Sequence, residues 1–182
     1  MMTDLALTTF RFDPDTCILQ AQPKLKDTVT LESSALDVMT DLAVIKAETI
    51  EPKITLTDAE KVMINRGVRA LFVTSNFPCI DGLVTASDIL GEKPQKLVNE
   101  RNLRFQDLTV QDVMTDLPHL DVVDYDEVKN SMVADLVATF AKLKCTHILV
   151  VQAAKIQGPA RIRGVISLTQ LERQLSPKAS GL

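Results

Sequence analysis

Apolar and polar positions along the chain fall into two similar series. In each, apolar residues at helical spacing lead into a continuous apolar run, and a short glycine-led run follows. Downstream of residue 57, Ala59, Val62 and Met63 fall on one face of a helix over Asp58–Asn65. Gly67 ends that helix, and Val68–Thr74 is the strand that follows. In the second series Val128, Met132, Leu136 and Phe140 recur four apart with Val133 and Val137 beside them. That spacing predicts one apolar stripe, with helix over Asp135–Lys142 and a buried strand at Cys145–Val151. Gly82–Val84 and the run from Gly164 supply a third strand in each series, and Ala43–Ile45 is a short strand candidate ahead of the first. Each unit therefore reads strand, helix, strand, strand, helix, an α/β (α+β) arrangement. One such sheet is too small to bury its apolar face alone, so the two are expected to pack face to face.

Start and stop signals divide the series. Ser34-x-x-Asp37, Thr57-x-x-Glu60 and Thr109-x-x-Asp112 have the form of capping boxes, in which two side chains satisfy the first orphan N–H groups of a helix. Asn76–Asp81, with Pro78, is a turn, and a helix is predicted from near Thr85 to Gly91. Pro94–Asn102 is a helical connector, and residues 152–163, with Gly158-Pro159, form a longer turn. Leu7–Phe12 alternates loosely enough for a strand, after which Pro14, Pro23 and Lys24–Thr28 break the pattern. The boundaries are an N-terminal arm at 1–33, a first repeat at 34–92, a connector at 93–108, a second repeat at 109–175 and a tail at 176–182.

The repeat is explicit in the residues. Asp-Val-Met-Thr-Asp-Leu occurs at Asp37–Leu42 and again at Asp112–Leu117. A six-residue identity in 182 residues marks a duplicated unit, and such repeats decide how the whole fold is laid out.

Composition narrows the function. A net charge of −4, with Lys and Arg scattered, provides no basic field for nucleic acid, and a chain with no Trp and one Tyr has few stacking platforms. Cys17, Cys79 and Cys145 are far apart and odd in number, which argues against a disulfide framework or a zinc site; Cys79 and Cys145 read as small buried hydrophobes. No metal site is predicted, because no cluster of Asp, Glu, His and Cys has ligand spacing. No apolar stretch approaches the roughly 20 residues a membrane span requires, and no signal peptide is predicted, so the expected location is the cytoplasm. His147 inside its apolar strand reads as a packed or cleft-lining residue. No nucleophile-elbow or phosphate-loop pattern occurs, and the chain is not expected to be an enzyme.

In order, D-V-M-T, an amphipathic helix, G-V-R-A-L-F-V-T, a turn and G-L-V-T-A-S-D-I-L resemble the cystathionine-β-synthase (CBS) domain, and two in tandem resemble a Bateman module. The resemblance covers about Ser34–Leu175 and implies two repeats packed with pseudo-twofold symmetry. It also implies a regulatory module that takes an adenosine-containing ligand (AMP, ADP, ATP or an S-adenosylmethionine-like compound) in the inter-repeat cleft. Such a module needs no cofactor, pairs as a homodimer and signals in trans to an effector protein not identifiable from sequence. The alternative is a dimeric interaction or adaptor module without a ligand.

The family signature falls on Gly82, Leu83, Thr85 and Asp88, with Ser87 at the same helix start. A carboxylate there accepts from both ribose hydroxyls, and a helix N-terminus favours phosphate. The resemblance assigns the adenine slot to Thr115, Pro118 and Leu120 and to Cys145 and Thr146. A second, weaker site would use Ser167 and Gln170 with Thr40, Val68 and Arg69. Thr85-x-x-Asp88 is equally a capping box, and so is Ser167-x-x-Gln170, which reads as cap first because Gln170 brings no negative charge to a diol. Where many family members carry Arg or His inside the second strand, the first repeat has Ala70 and the second His147. That departure implies an Asp88 site holding ribose well and phosphate weakly.

Overall fold

The computed structural model describes residues 26–152 and 160–176. Two four-stranded sheets form. In chain order the elements are β1 (Thr40–Asp41), β2 (Thr49–Ile50), α1 (Leu56–Arg66), β3 (Ala70–Val73), β4 (Gly82–Thr85), α2 (Ala86–Leu90) and α3 (Glu92–Arg101). They continue with α4 (Val110–Val113), β5 (Thr115–Asp116), β6 (Val122–Asp124), α5 (Tyr125–Lys129), α6 (Val133–Leu143), β7 (His147–Gln152), β8 (Arg161–Ser167) and α7 (Leu168–Leu175). The sheet orders are β2-β3-β4-β5 and β1-β8-β7-β6.

The repeated hexapeptide explains those orders. Its first copy supplies β1, which pairs antiparallel with β8 of the other half, Thr40 opposite Val165 and Asp41 opposite Gly164. Its second copy supplies β5, which pairs antiparallel with β4, Thr115 opposite Leu83 and Asp116 opposite Gly82. Each half thus lends the other an edge strand. The backbone bonds obey the same exchange: Leu56 N donates to Leu108 O as Val133 N does to Ser33 O, and Val110 N donates to Ile54 O as Ala35 N does to Ser131 O.

Strand alternation sorts the side chains. Leu71, Val73 and Val84 face α1 and α2, where they meet Leu56, Ala59, Met63 and Ile89, together with Leu108, Val110 and Val113 from the lead-in of the second copy. Ile148, Val150 and Ile166 meet Val133, Leu136, Phe140 and Leu171, together with Val29, Ala35 and Val38 from the lead-in of the first. On the opposite faces Phe72 and Leu83 of one sheet pack against Leu149 of the other, with Leu42, Ala70, Leu120 and Val165 around them. The sheets meet face to face, as the small size of each predicted.

Several local expectations shift. Ala43–Ile45 is a turn rather than a strand: Asp41 Oδ1 accepts from Ala43 N at 2.8 Å, and Asp41 O accepts from Ile45 N at 2.9 Å. The α1 cap is Thr55 with Asp58, not Thr57 with Glu60. The bridge between Thr55 and Thr109 holds Thr55 extended, so helix can begin only at Leu56. The Val128–Phe140 stripe is cut into α5 and α6 for the same reason, because Ser34 bridges to Met132. Asp135 caps Met132 N at 2.8 Å, and Met132 is 53% exposed. Val137 is also exposed rather than on the core stripe. Cys79, expected inside, is exposed in the turn after Asn76. Leu7–Phe12, Gly158-Pro159 and the tail from Pro177 lie outside the described residues.

The exchanged strands approach closely at two glycines. A Cβ on Gly82 would strike the carbonyl oxygen of Thr115, a backbone atom of the partner strand. A Cβ on Gly164 would first meet Met39 Sδ at 2.6 Å and then Thr40 O at 2.9 Å. A methionine side chain turns aside where a strand cannot. Gly82→Ala should therefore lower unfolding free energy by about 1–3 kcal/mol, and by more than Gly164→Ala. Urea melts of both variants measure this; equal losses would contradict the account.

Candidate functional site

Where β4 turns into α2, the backbone is extended at Thr85 and helical from Ala86. Thr85 Oγ1 accepts from Asp88 N at 3.2 Å, and Asp88 Oδ2 accepts from Thr85 N at 2.8 Å and from Thr85 Oγ1 at 2.7 Å. The capping box is complete, and it occupies only one carboxylate oxygen. Among the described residues, Asp88 Oδ1 has no hydrogen-bond partner in the protein. The carboxylate is half-buried.

The other residues assigned with Asp88 lie on several elements. Leu83 stands opposite Thr115 across β4 and β5. Leu120 packs in the same inter-sheet cluster as Leu83. Pro118 lies in the single turn Leu117–His119 that follows β5. Thr146 is exposed and its Oγ1 lies 3.1 Å from His147 Nδ1. Cys145 instead leans on the core of the second sheet, where burial, and after it the charge of Asp121, raises its thiol pKa. Ser87 is exposed on the first turn of α2.

The other half carries the matching arrangement with different contents. Thr40, Val68, Arg69, Ser167 and Gln170, the five residues of the second predicted site, all line one cavity of about 440 Å³. That volume lies within the range of small-molecule sites. Here the expected capping box does not form. Ser167 stands at the N-terminus of α7 without a side-chain cap bond, and Gln170 Nε2 is buried with no partner. Gln170 is one methylene longer than Asp88 and carries no charge to draw donors, whereas the Asp88 carboxylate takes both from Thr85 on one oxygen.

Lys46, Glu48 and Arg173 also line this cavity, and the sequence reading missed them. Lys46 and Glu48 border a two-residue strand too short to register as a pattern. Arg173 carried a usable signal, since it falls four residues after Thr169 and three after Gln170 on one face of α7.

His147 begins β7 and lines the same cavity. Burial lowers its pKa; the negative charge of Asp88 opposes that drop and the positive charge of Arg69 adds to it. The folded state therefore binds this proton less readily than the unfolded chain. Its contribution to stability is whole above the ordinary histidine value of about 6.5 and is lost as pH falls through the lower folded value. Urea melts at about pH 7.5 and about pH 5.5 should show His147→Gln losing less stability on acidification than the wild type. An equal loss would show that His147 is not the group responsible.

Residues 35–94 match the sequence model of the CBS domain. None of the curated proteins compared with the chain matches it. Among solved structures, an uncharacterized conserved protein from Pyrococcus horikoshii aligns with a TM-score of 0.57 at 19% identity, over 85% of this chain and 100% of its own. A CBS-domain containing protein from Agrobacterium tumefaciens aligns at 0.51 and 18% identity, over 71% of this chain and 84% of its own. CBSX2 from Arabidopsis thaliana, in a crystal structure with AMP, aligns at 0.50 and 20% identity, over 78% and 94%. At such identities the structural likeness carries the fold, and the match at 35–94 marks a CBS-like segment in the first repeat. Residues 35–94 are similar to a CBS domain, and the chain has the fold seen in solved CBS-domain proteins.

Proposed function

We propose that this chain is a non-catalytic regulatory module that binds an adenosine-containing ligand in the cleft beside Asp88 and passes the change to a partner in trans. The observation that carries the reading is the division of labour within one carboxylate. Oδ2 closes the cap on Thr85, and Oδ1 remains available to a pair of vicinal hydroxyls. Cap and ligand site are therefore compatible roles for the same residue. The AMP complex of CBSX2, a protein of the same fold, supports an adenosyl ligand.

Binding can shift the packing of the two halves only by the difference in its affinity for the two arrangements. The inter-sheet cluster of Phe72, Leu83 and Leu149 is the contact such a shift would alter. Leu83 belongs both to that cluster and to the residues assigned to the ligand, which gives a direct mechanical route from one to the other.

Thermal unfolding with adenosine, AMP, ADP, ATP and S-adenosylmethionine tests the reading. A ligand at about 100 times its dissociation constant adds about 2.7 kcal/mol, and at least one of these compounds should raise the midpoint. Asp88→Asn should abolish the shift. Its amide oxygen can still accept from Thr85, so the unliganded variant should stay within about 1 kcal/mol of wild type. If no compound moves the midpoint, the chain is instead an adaptor that works without a ligand.

A further inference from the structure

The cavity beside Gln170 and the matching region beside Asp88 share one backbone plan and differ in charge. In the first sheet Phe72 stands opposite Thr49, and in the second Leu149 stands opposite Val122. Counting back along each chain places Lys46 where the other half has His119, and Glu48 where it has Asp121. Ala70 opposite Thr85 corresponds to His147 opposite Ser167. Arg69 therefore takes the place of Thr146, Gln170 that of Asp88, and Arg173 that of Gly91. The changes at Lys46, Arg69, Gln170 and Arg173 move this cavity toward positive charge; Glu48 keeps a carboxylate, and Ala70 and His147 both line the cavity without adding a cation.

We infer that the cavity beside Gln170 binds a small phosphorylated anion through Arg69, Arg173 and Lys46, without any requirement for a ribose diol. Three cations line the cavity with one carboxylate, Glu48, whose oxygen already lies 3.7 Å from Arg66. Among the described residues none of the three cations forms an ion pair with the protein. Exposed lysines and arginines are commonly solvated and mark no site by themselves. Here they border a concave space of about 440 Å³. Two further donors stand with them: Gln170 Nε2, buried without a partner, and the hydroxyl of Ser167, which makes no cap bond. The eight-residue helix α7 begins at that point; Leu168 N is bonded to Thr146 O, and the rest of its first turn, which has no side-chain cap, adds N–H groups and the positive end of its dipole. Guanidinium groups match phosphate oxygens in pairs, which suits a di- or triphosphate group. Gln170 offers no charged acceptor, so a sugar diol would gain little there.

The inference does not depend on the adenosyl reading at Asp88, and one experiment separates the two. Isothermal titration of the full chain with inorganic tripolyphosphate, at constant ionic strength, measures the anion site alone. Tripolyphosphate should bind, and Arg69→Ala or Arg173→Ala should each weaken it about tenfold, the scale of one charge-assisted hydrogen bond. Asp88→Asn should leave that binding unchanged. Adenosine should show the opposite dependence, lost with Asp88→Asn and retained in both arginine variants. The inference is overturned if tripolyphosphate does not bind, or if it binds the Arg69→Ala/Arg173→Ala double variant as tightly as wild type. Circular dichroism and the unliganded melting midpoint verify that the variants are folded; both arginines are exposed, so little change is expected there. Tripolyphosphate binding without an adenosine response sinks only the Asp88 reading.

Discussion

The structure depends on the reciprocal loan of edge strands. A strand of two residues has almost no stability of its own, and β1 and β5 each persist because an edge of the other half accepts them. The loan carries core with it. Ala35 and Val38 arrive in the second core on the helical turn before β1, and Val110 and Val113 arrive in the first core on α4 before β5. Separating the halves would strip both cores at once and expose the inter-sheet cluster as well. The two repeats are therefore one cooperative body, and the cavity between them has walls fixed from both sides.

Hexapeptide side chains reinforce the loan unequally. Its first aspartate is gripped in both copies: Lys26 reaches Asp37 at 2.7 Å and Arg101 reaches Asp112 at 2.8 Å. Its second aspartate differs. Asp41 takes a bidentate pair from Arg163, at 2.9 and 2.8 Å, with the guanidinium stacked 4.9 Å from the centre of the Tyr125 ring. Asp116, in the matching place, turns to His119 three residues on. The half-buried Asp41 pair joins residues 122 apart in sequence and holds β1 to β8. Its geometry suits specificity of pairing more than net stability, because desolvation offsets much of the attraction.

Much of this was legible in the sequence, for identifiable reasons. The duplicated hexapeptide, the Gly67 stop and the apolar runs around Leu71 and Leu149 each rest on local chemistry, and the resemblance ordered them into a CBS pair. What escaped were features made by the other half of the molecule. Thr55 caps α1 because a bridge to Thr109 holds it extended. The α5–α6 break sits at Met132 because Ser34 bridges there, so an unbroken four-residue spacing misled. The site residues show the same division. Thr85 and Asp88 announce themselves by a local box, whereas Lys46, Glu48 and Arg173 gather around one cavity only after the sheets have packed.

Duplication also explains why one residue can hold two roles in one half and lose one of them in the other. In α2 a carboxylate both closes the cap and retains an unused oxygen; in α7 the amide at the matching place does not close the cap at all. Helix α7 nevertheless forms, with eight residues against the five of α2 and with Leu171 and Gln174 buried beneath it. Leu168 N donates to Thr146 O at 2.9 Å at its start, and in its last turn Gln174 donates to Lys26 O and its backbone oxygen accepts from Val29 N at 2.9 Å, so tertiary contacts hold both ends. The shorter α2 buries one residue, Ile89, and adds the Thr85–Asp88 box to the bond from Ala86 N to Arg69 O. Asp88 is thereby constrained by folding as well as by any ligand, while position 170 is released from the structural duty. Release from that duty allows the cavity beside Gln170 to differ in charge from the region beside Asp88 without loss of the fold that both halves share.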